Sequence, residues 1–209
     1  MKEYKLPIGC DVPETIILAD GDFPSHPLAL EWLRQCPYVV CCDGAANTYI
    51  RSGRMPEAIV GDGDSLLPDI KERYASLIHS EAEQETNDLS KAFRFCLSQE
   101  RKRITIMGAT GKREDHTIGN VSLLADYMEQ AEVSMMTDYG IFVPIREDSM
   151  FESYIGQQIS VFNMNSTALS AEGLAYPLSV FTNWWQGTLN EALARHCLLY
   201  TSDAADDKA

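Results

Sequence analysis

The chain has little positive charge. Its 17 lysines and arginines stand against 31 aspartates and glutamates, a formal net charge of −14 over 209 residues. So acidic a surface repels nucleic-acid phosphates and anionic lipid, which excludes both as expected partners and favours metal ions and cationic ligands. Long hydrophobic runs are also missing, since nothing approaches the ~20 apolar residues of a membrane-spanning helix. The segment Met1 to Val12 is polar and broken by Pro7 and Gly9, unlike a secretory leader. The six cysteines, Cys10, Cys36, Cys41, Cys42, Cys96 and Cys197, contain no Cys-x-x-Cys pair. Adjacent Cys41 and Cys42 point to opposite faces of one strand, so no zinc site is expected and the thiols read as small hydrophobes. These absences together predict a cytoplasmic protein. What is present is enough apolar material for a core: 45% hydrophobic residues with 23% charged, which suits one large domain or two small ones.

Apolar runs alternate with amphipathic stretches over the first two thirds of the chain. Thr15 to Ala19, Tyr38 to Cys42, Ala58 to Val60, Ile104 to Met107 and Val133 to Met136 read as strands. They are apolar throughout, which suits a mostly parallel sheet buried on both faces. Helical patterns fall between them at Pro27–Arg34, Ala45–Arg51, Asn87–Leu97 and His116–Gln130, the last with Ile118, Val121, Leu124, Ala125 and Met128 facing inward. Strand–helix alternation predicts a Rossmann-like α/β domain with flanking helices over residues 1–140. After Gly140 the pattern changes. Ile141-Phe142-Val143 and Ile159 to Phe162 are strand-like and separated by polar turns, which predicts a smaller, all-β sandwich domain.

Polar residues gather just after the predicted strands, where open α/β sheets bind ligands. Five segments fall there or at a helix start: Asp20-Gly21-Asp22, Asp43 to Asn47, Gly61 to Ser65, Thr86-Asn87-Asp88 and Gly108 to His116. Each alone is ordinary turn chemistry. Jointly they would bring Asp43, Asp62, Asp64 and Asp88 to one rim, where carboxylates repel unless a cation holds them, and Mg²⁺ takes carboxylates together with phosphate oxygens. Gly108 to His116 follows a strand and opens a helix, so its backbone N–H groups could face an anion, although it lacks P-loop spacing. Arg113 could clamp a phosphate, and Asp115 could hold Arg113 or a metal-bound water.

Asp43-Gly44-Ala45-Ala46-Asn47, then Pro56, then Gly61-Asp62-Gly63-Asp64-Ser65, resembles the "DGGAN…P…GDxDS" pattern of thiamine diphosphokinases. Gln84 to Ala92 resembles their "DxTDxxKA" segment, and Gly108 to Asn120 their "GAxGGRxDHxxGN". Three positions depart from the pattern: Ala45 and Lys112 stand where glycines are usual, and Asn87 where a threonine is. The resemblance implies a Mg²⁺-dependent transfer of diphosphate from ATP to thiamine. It places metal ligands at Asp43, Asp62, Asp64 and Asp88, and nucleotide contacts at Asp43, Gly44, Asn47, Gly108, Gly111, Arg113, Asp115 and His116. Catalytic roles fall on Asp62, Asp64, Asp88 and Arg113, with Asp88 either a ligand or a base for the thiamine hydroxyl.

In the second domain Gly173 to Leu178 resembles "GLxYPL", and Gly187 to Glu191 resembles "GxSNE" with Leu189 in place of serine. These segments imply thiamine contacts at Tyr176, Trp185, Thr188 and Asn190, with Trp184 an alternative stacking residue for the flat cation. The family further implies a homodimer with thiamine bound where the subunits meet. Two alternatives remain: another vitamin or pterin alcohol as acceptor, and a non-catalytic module that binds nucleotide or thiamine. Up to about Ala194 the chain follows the family pattern. Cys197 to Asp206 instead resembles one reading frame of a transposon adapter used in short-read DNA sequencing. The expectation is therefore a thiamine-binding sandwich over residues 141–196 that lacks its last strands, followed by a non-native tail over residues 197–209.

Overall fold

A computed structural model gives the structure of the chain and describes residues 1–7, 11–80, 85–164, 166, 168–178 and 183–202. A short strand, β1 (Lys2–Tyr4), opens it and is taken up below. The apolar runs that follow carry no polar break and can be covered on both faces. Every residue of β2 (Thr15–Leu18), β3 (Val39–Cys42) and β4 (Ala58–Gly61) is buried. Helix α1 (Pro27–Gln35) links β2 to β3, and α2 (Ala45–Arg51) links β3 to β4. Pro27 starts α1, where its missing N–H costs nothing, and His26 caps it by accepting from the Leu28 N–H. Then come α3 (Pro68–Arg73), β5 (Ile78–Ser80), α4 (Asp88–Ser98), β6 (Arg103–Met107), α5 (Glu114–Tyr127), β7 (Glu132–Met136) and β8 (Ile141–Phe142). These elements, from β2 to β8, make up one unit, Ile8–Pro144.

Its strands lie in the order β5-β4-β3-β2-β6-β7-β8, parallel at each pairing except β7 with β8. Ile17 of β2 lies beside Val40 of β3 on one side and Ile106 of β6 on the other. The chain thus builds outward from β2 in both directions, and the carboxyl ends of β2 and β6 flank the switch point where such sheets open a crevice. Alternate residues of each strand face opposite layers. Ile17, Val40 and Ile106 pack with Phe93 and Tyr127 of α4 and α5, while Ile16, Val39 and Cys41 pack with Trp32 and Tyr49 of α1 and α2.

Several features differ from the sequence reading. Strand β5 and helix α3 were not expected; both are short and mostly solvent-facing, so neither carries a periodic apolar signal. Ile141–Phe142, expected in the β domain, is the antiparallel edge of the parallel sheet, brought back along β7 by a turn in which the Thr137 N–H donates to Gly140 O at 2.9 Å. The inward face expected for α5 is too broad. Leu124 and Tyr127 are buried, but Ile118 is 66% exposed and Ala125 is also exposed. Tyr127 turns that face, because its ring stacks on Phe93 at 3.9 Å between centroids and its hydroxyl pairs with Ser90 Oγ at 2.8 Å.

The second unit is Met1–Pro7 together with Ile145–Ala209. It is β-rich, with strands β9 (Ser149–Glu152), β10 (Gln158–Val161), β11 (Ala168–Glu172), β12 (Gly187–Glu191) and β13 (His196–Ser202). One sheet has the order β1-β9-β13-β11 and a second pairs β10 with β12. The start of the chain therefore belongs here rather than with the α/β unit, since Lys2–Tyr4 pair in parallel with Ser149–Phe151. Its alternating polar residues gave no strand signal. The boundary expected at residue 197 falls inside β13, which is paired on both sides, to β9 and to β11. Cys197 and Leu199 alternate with Leu198 and Tyr200, so one face is apolar and buried, and no unpaired edge is left there. The rest of the expected tail, residues 203–209, lies outside the described residues. Among the described residues no helix is long and apolar enough to cross a membrane.

Phe93→Ala should remove the ring that joins α4 to both the sheet and Tyr127. The expected loss is about 3–5 kcal/mol of unfolding free energy. Urea denaturation followed by circular dichroism measures it, and a loss under 1 kcal/mol would show that this layer is not the packed core described here.

Candidate active site

The end of β3 and the end of β4 are stitched together by the Asp43 N–H, which donates to Val60 O at 2.9 Å. This places Asp43 at the floor of the rim, buried, with φ of 30°. A non-glycine residue there is strained, and such strain persists only where the surroundings hold it. Gly61 makes room for it. A Cβ on Gly61 would sit 2.8 Å from Asp43 Cβ and 3.4 Å from Asp88 Cγ, so a side chain would force Asp43 to shift and would fill the space beside Asp88.

The loop after β4 is braced from outside. Asn47 donates from Nδ2 to Ser65 O at 2.8 Å and accepts at Oδ1 from the Leu67 N–H at 3.0 Å. Lys71 Nζ donates to Gly63 O at 2.7 Å. Within the loop the Asp64 N–H donates to Asp62 Oδ1 at 3.1 Å, and the Ser65 N–H to Asp43 Oδ2 at 3.0 Å. Asp43, Asp62 and Asp64 each offer a carboxylate oxygen, with these atoms within 4.8 Å of one another. Asp43 Oδ1 is buried and has no hydrogen-bond partner. An orphaned carboxylate oxygen among hard oxygen donors fits a divalent cation of the Mg²⁺ type, which demands oxygen ligands.

Asp88, expected in the same metal set, is not in that group. It opens α4, and its Oδ1 is drawn to Lys91 Nζ at 3.1 Å. The Lys91 side chain is 4% exposed, a buried ammonium one turn along the helix from its partner. The sequence reading gave Lys91 no role, although a lysine between Ser90 and Ala92 on the buried face of α4 was the available signal. The charge of Asp88 is still felt. Burial above all, with repulsion from Asp88 and Asp62 and a side-chain contact with Asp64 that favours the protonated form, pushes the Asp43 carboxyl above the usual carboxylate range, against the pull of the Ser65 N–H.

The glycine-rich loop after β6 is zipped to the loop after β2. The Gly21 N–H donates to Gly108 O at 2.6 Å and the Asp22 N–H to Thr110 O at 2.8 Å. Gly111, at φ 82°, lies so close to Asp22 that a Cβ would be 2.1 Å from its Oδ2. Lys112, at φ 42°, donates to Asp20 O at 2.8 Å and to Asp20 Oδ1 at 3.1 Å. Asp20 also lies against Gly44, the residue that precedes α2, so it joins this rim without having been assigned a role. Arg113 and Asp115 form an exposed two-point ion pair, Nε to Oδ1 at 3.1 Å and Nη2 to Oδ2 at 2.5 Å. The pairing holds Asp115 below the usual carboxylate range and raises Arg113. His116 is exposed at the start of α5.

In the β-rich unit Tyr176, Trp184 and Trp185 are exposed, and Thr188 is half-buried with its N–H donated to Trp185 O at 3.1 Å. Asn190 is not an open ligand group. It is buried, accepts from the Tyr176 N–H at 3.0 Å and donates to Tyr176 O at 2.7 Å, so its amide is spent on fixing the Tyr176 backbone. Leu189, where the family pattern has serine, is 82% exposed at φ 59°. Residues 179–182, between Tyr176 and Trp184, lie outside the described residues.

Family models match both units: "Thiamin pyrophosphokinase, catalytic domain" over residues 29–136 and "Thiamin pyrophosphokinase, substrate-binding domain" over residues 140–205. The chain belongs to the thiamin pyrophosphokinase family. The family match runs through β13, so likeness to the family does not stop near Ala194 as the sequence reading held. The chain is 30% identical to thiamine pyrophosphokinase 1 of Oryza sativa subsp. japonica over 129 residues, covering 50% of this chain and 49% of the relative. It is 34% identical to the thiamine pyrophosphokinase of Bacillus subtilis over 86 residues, 39% of this chain and 40% of the relative. The chain thus spans about half the length of the curated relatives it matches, or less. The fold is similar to the thiamin pyrophosphokinase structures of Candida albicans and yeast, each with a TM-score of 0.73. The former has 18% identity and covers 97% of this chain and 90% of that one; the latter has 16%, covering 97% and 88%.

The raised Asp43 carboxyl has a measurable sign. A carboxyl with a folded pKa above its unfolded one favours folding while protonated, and that contribution is lost as the pH rises through the folded value. At pH 7 the cation-free protein therefore carries a penalty that Asp43→Asn removes. The expected gain is present in full at pH 7, shrinks as the pH falls through the raised folded value, and is gone below the usual carboxylate pKa of ~4. Urea unfolding of both proteins in EDTA across that pH range tests this, and a variant less stable than its parent at pH 7 would contradict it.

Proposed function

We propose that the chain transfers the terminal diphosphate of ATP to the hydroxyl of thiamine, giving thiamine diphosphate and AMP. The observation that carries this reading is the buried, unpartnered Asp43 oxygen grouped with Asp62 and Asp64 at the strand ends, in a chain of this family. A pure binder has no evident use for carboxylates held against their own repulsion. Asp43, Asp62 and Asp64 would hold a Mg²⁺ ion, which when bound would neutralise charge on the transferred group. Asp88 stands beside this set, steered by Lys91. Its place supports the role of aligning the thiamine hydroxyl and taking its proton. The hydroxyl oxygen bonds to the β-phosphorus as the bond from that phosphorus to the α–β bridging oxygen breaks, and AMP leaves with that oxygen. Arg113, released from Asp115 or together with it, contributes charge for the phosphates, and the loop from Gly108 to Arg113 contributes N–H donors. Positioning and electrostatics supply most of the rate in phosphoryl-type transfer.

The exposed rings of Tyr176, Trp184 and Trp185 support the thiamine side of the proposal, since flat cations are held by aromatic faces. Family membership supports a homodimer with thiamine where the subunits meet.

The purified chain should release AMP only when ATP, thiamine and Mg²⁺ are all present. Asp62→Asn and Asp64→Asn should each lower the rate by ~10²-fold or more with unchanged circular dichroism. Near-normal turnover in both variants would refute the metal assignment. AMP release with a pterin or another vitamin alcohol but not with thiamine would move the activity to a different acceptor.

A further inference from the structure

Asn87 and Asn120 lie in two of the motif segments, yet the reaction outlined above uses neither. Asn87 precedes Asp88 and caps α4, its Oδ1 accepting from the Ser90 N–H at 2.9 Å. Its Nδ2 donates to Asn120 Oδ1 at 3.2 Å. Asn120, in the second turn of α5, donates from its own Nδ2 to Ala109 O at 2.8 Å. Ala109 is buried in the loop that carries Gly111 and Arg113.

The direction of both amides is fixed by chemistry. A side-chain amide has one accepting oxygen and one donating nitrogen. The Ala109 carbonyl can only accept, so Nδ2 of Asn120 must face it and Oδ1 must face Asn87. The Ser90 N–H can only donate, so Oδ1 of Asn87 must face it and Nδ2 must face Asn120. The chain from Ser90 to Ala109 therefore has every donor facing an acceptor, and such serial bonds reinforce one another. Two elements distant in sequence, the start of α4 and the loop after β6, are tied by side chains alone at this point. Asn87 is also a departure from the family pattern. The threonine usual there could cap the helix but has no amide N–H to donate.

We propose that Asn120, with Asn87, is a positioning residue that couples occupation of the glycine-rich loop by nucleotide phosphates to the placement of Asp88, whose charge lies beside Asp43 across Gly61, and through that neighbouring charge to cation binding by Asp43, Asp62 and Asp64. This rests on the Mg²⁺–nucleotide reading above. Coupling of this kind is reciprocal: the cation tightens nucleotide binding by the factor by which the nucleotide tightens the cation. Breaking the clasp leaves each site present and lowers that factor.

The test uses the full chain, Mn²⁺ as the cation probe and an ATP analogue with a methylene group between the α- and β-phosphorus as the nucleotide, since it cannot be cleaved there. Calorimetry gives the analogue's Kd with and without Mn²⁺, and electron paramagnetic resonance gives the Kd of Mn²⁺ alone. Asn87→Ser keeps an N-cap oxygen and loses the bond to Asn120, whereas Asn120→Ala loses both bonds. The expected result is that each variant lowers the Mn²⁺-dependent tightening at least ~5-fold, leaves Mn²⁺ affinity in the absence of nucleotide unchanged, and adds nothing to the other in the double variant. A wild-type chain that shows the tightening, with both variants matching it, overturns the coupling and spares the functional reading. A wild-type chain whose nucleotide binding ignores Mn²⁺ overturns both. Loss of Mn²⁺ affinity alone would show a structural role and also overturn the coupling.

Discussion

Like charges repel, and the rim of the α/β unit is organised around keeping several of them together. Asp43 is buried, with its backbone forced into a left-handed conformation, and one carboxylate oxygen lacks any hydrogen bond. Asp62 and Asp64 come within reach of it because the loop after β4 folds back, and Asp43 itself fits there because Gly61 has no side chain, with Asp88 on the far side of that glycine. Burial, with the neighbouring acidic groups adding to it, raises the Asp43 carboxyl, so the arrangement favours positive charge beside it.

Much of the neighbouring sequence serves to resist that repulsion. Asn47 and Lys71 hold the loop's carbonyls, Ser65 gives its N–H to Asp43, and Lys91 takes Asp88 aside. None of these groups needs to touch a substrate. They act by making one geometry of the carboxylates cheaper than the alternatives, which is the meaning of preorganisation in a site whose work is electrostatic. Behind them lies a sheet buried on both faces, with separate helical layers packed on alternate residues of the same strands. A rim built on strand ends moves little, because the strands beneath it cannot shift without disturbing both layers.

The β-rich unit follows another logic. Its strands are short and half-exposed, and a buried polar side chain, Asn190, is spent on the backbone of Tyr176. Aromatic rings and Leu189 are left facing outward. The α/β unit hides its apolar groups and displays charge at one rim, whereas this unit uses a buried amide to present rings.

The sequence by itself determined the parallel strands and the long helices of the first unit, because an unbroken apolar run has few alternatives to burial on both faces, and because Asn87 and Pro27 mark helix starts by local chemistry. It also determined that acidic loops would follow those strands. It did not determine which carboxylates meet. Asp62 and Asp64 join Asp43 while Asp88 turns to Lys91, a choice made by the buried ammonium and visible only once α4 is docked. Strand β1, the assignment of Ile141–Phe142 and the continuity of β13 across residue 197 were likewise decided by pairing partners far along the chain. A short strand has almost no preference of its own. Its place is set by the hydrogen bonds and the apolar face that a neighbour offers, and those exist only in the folded protein.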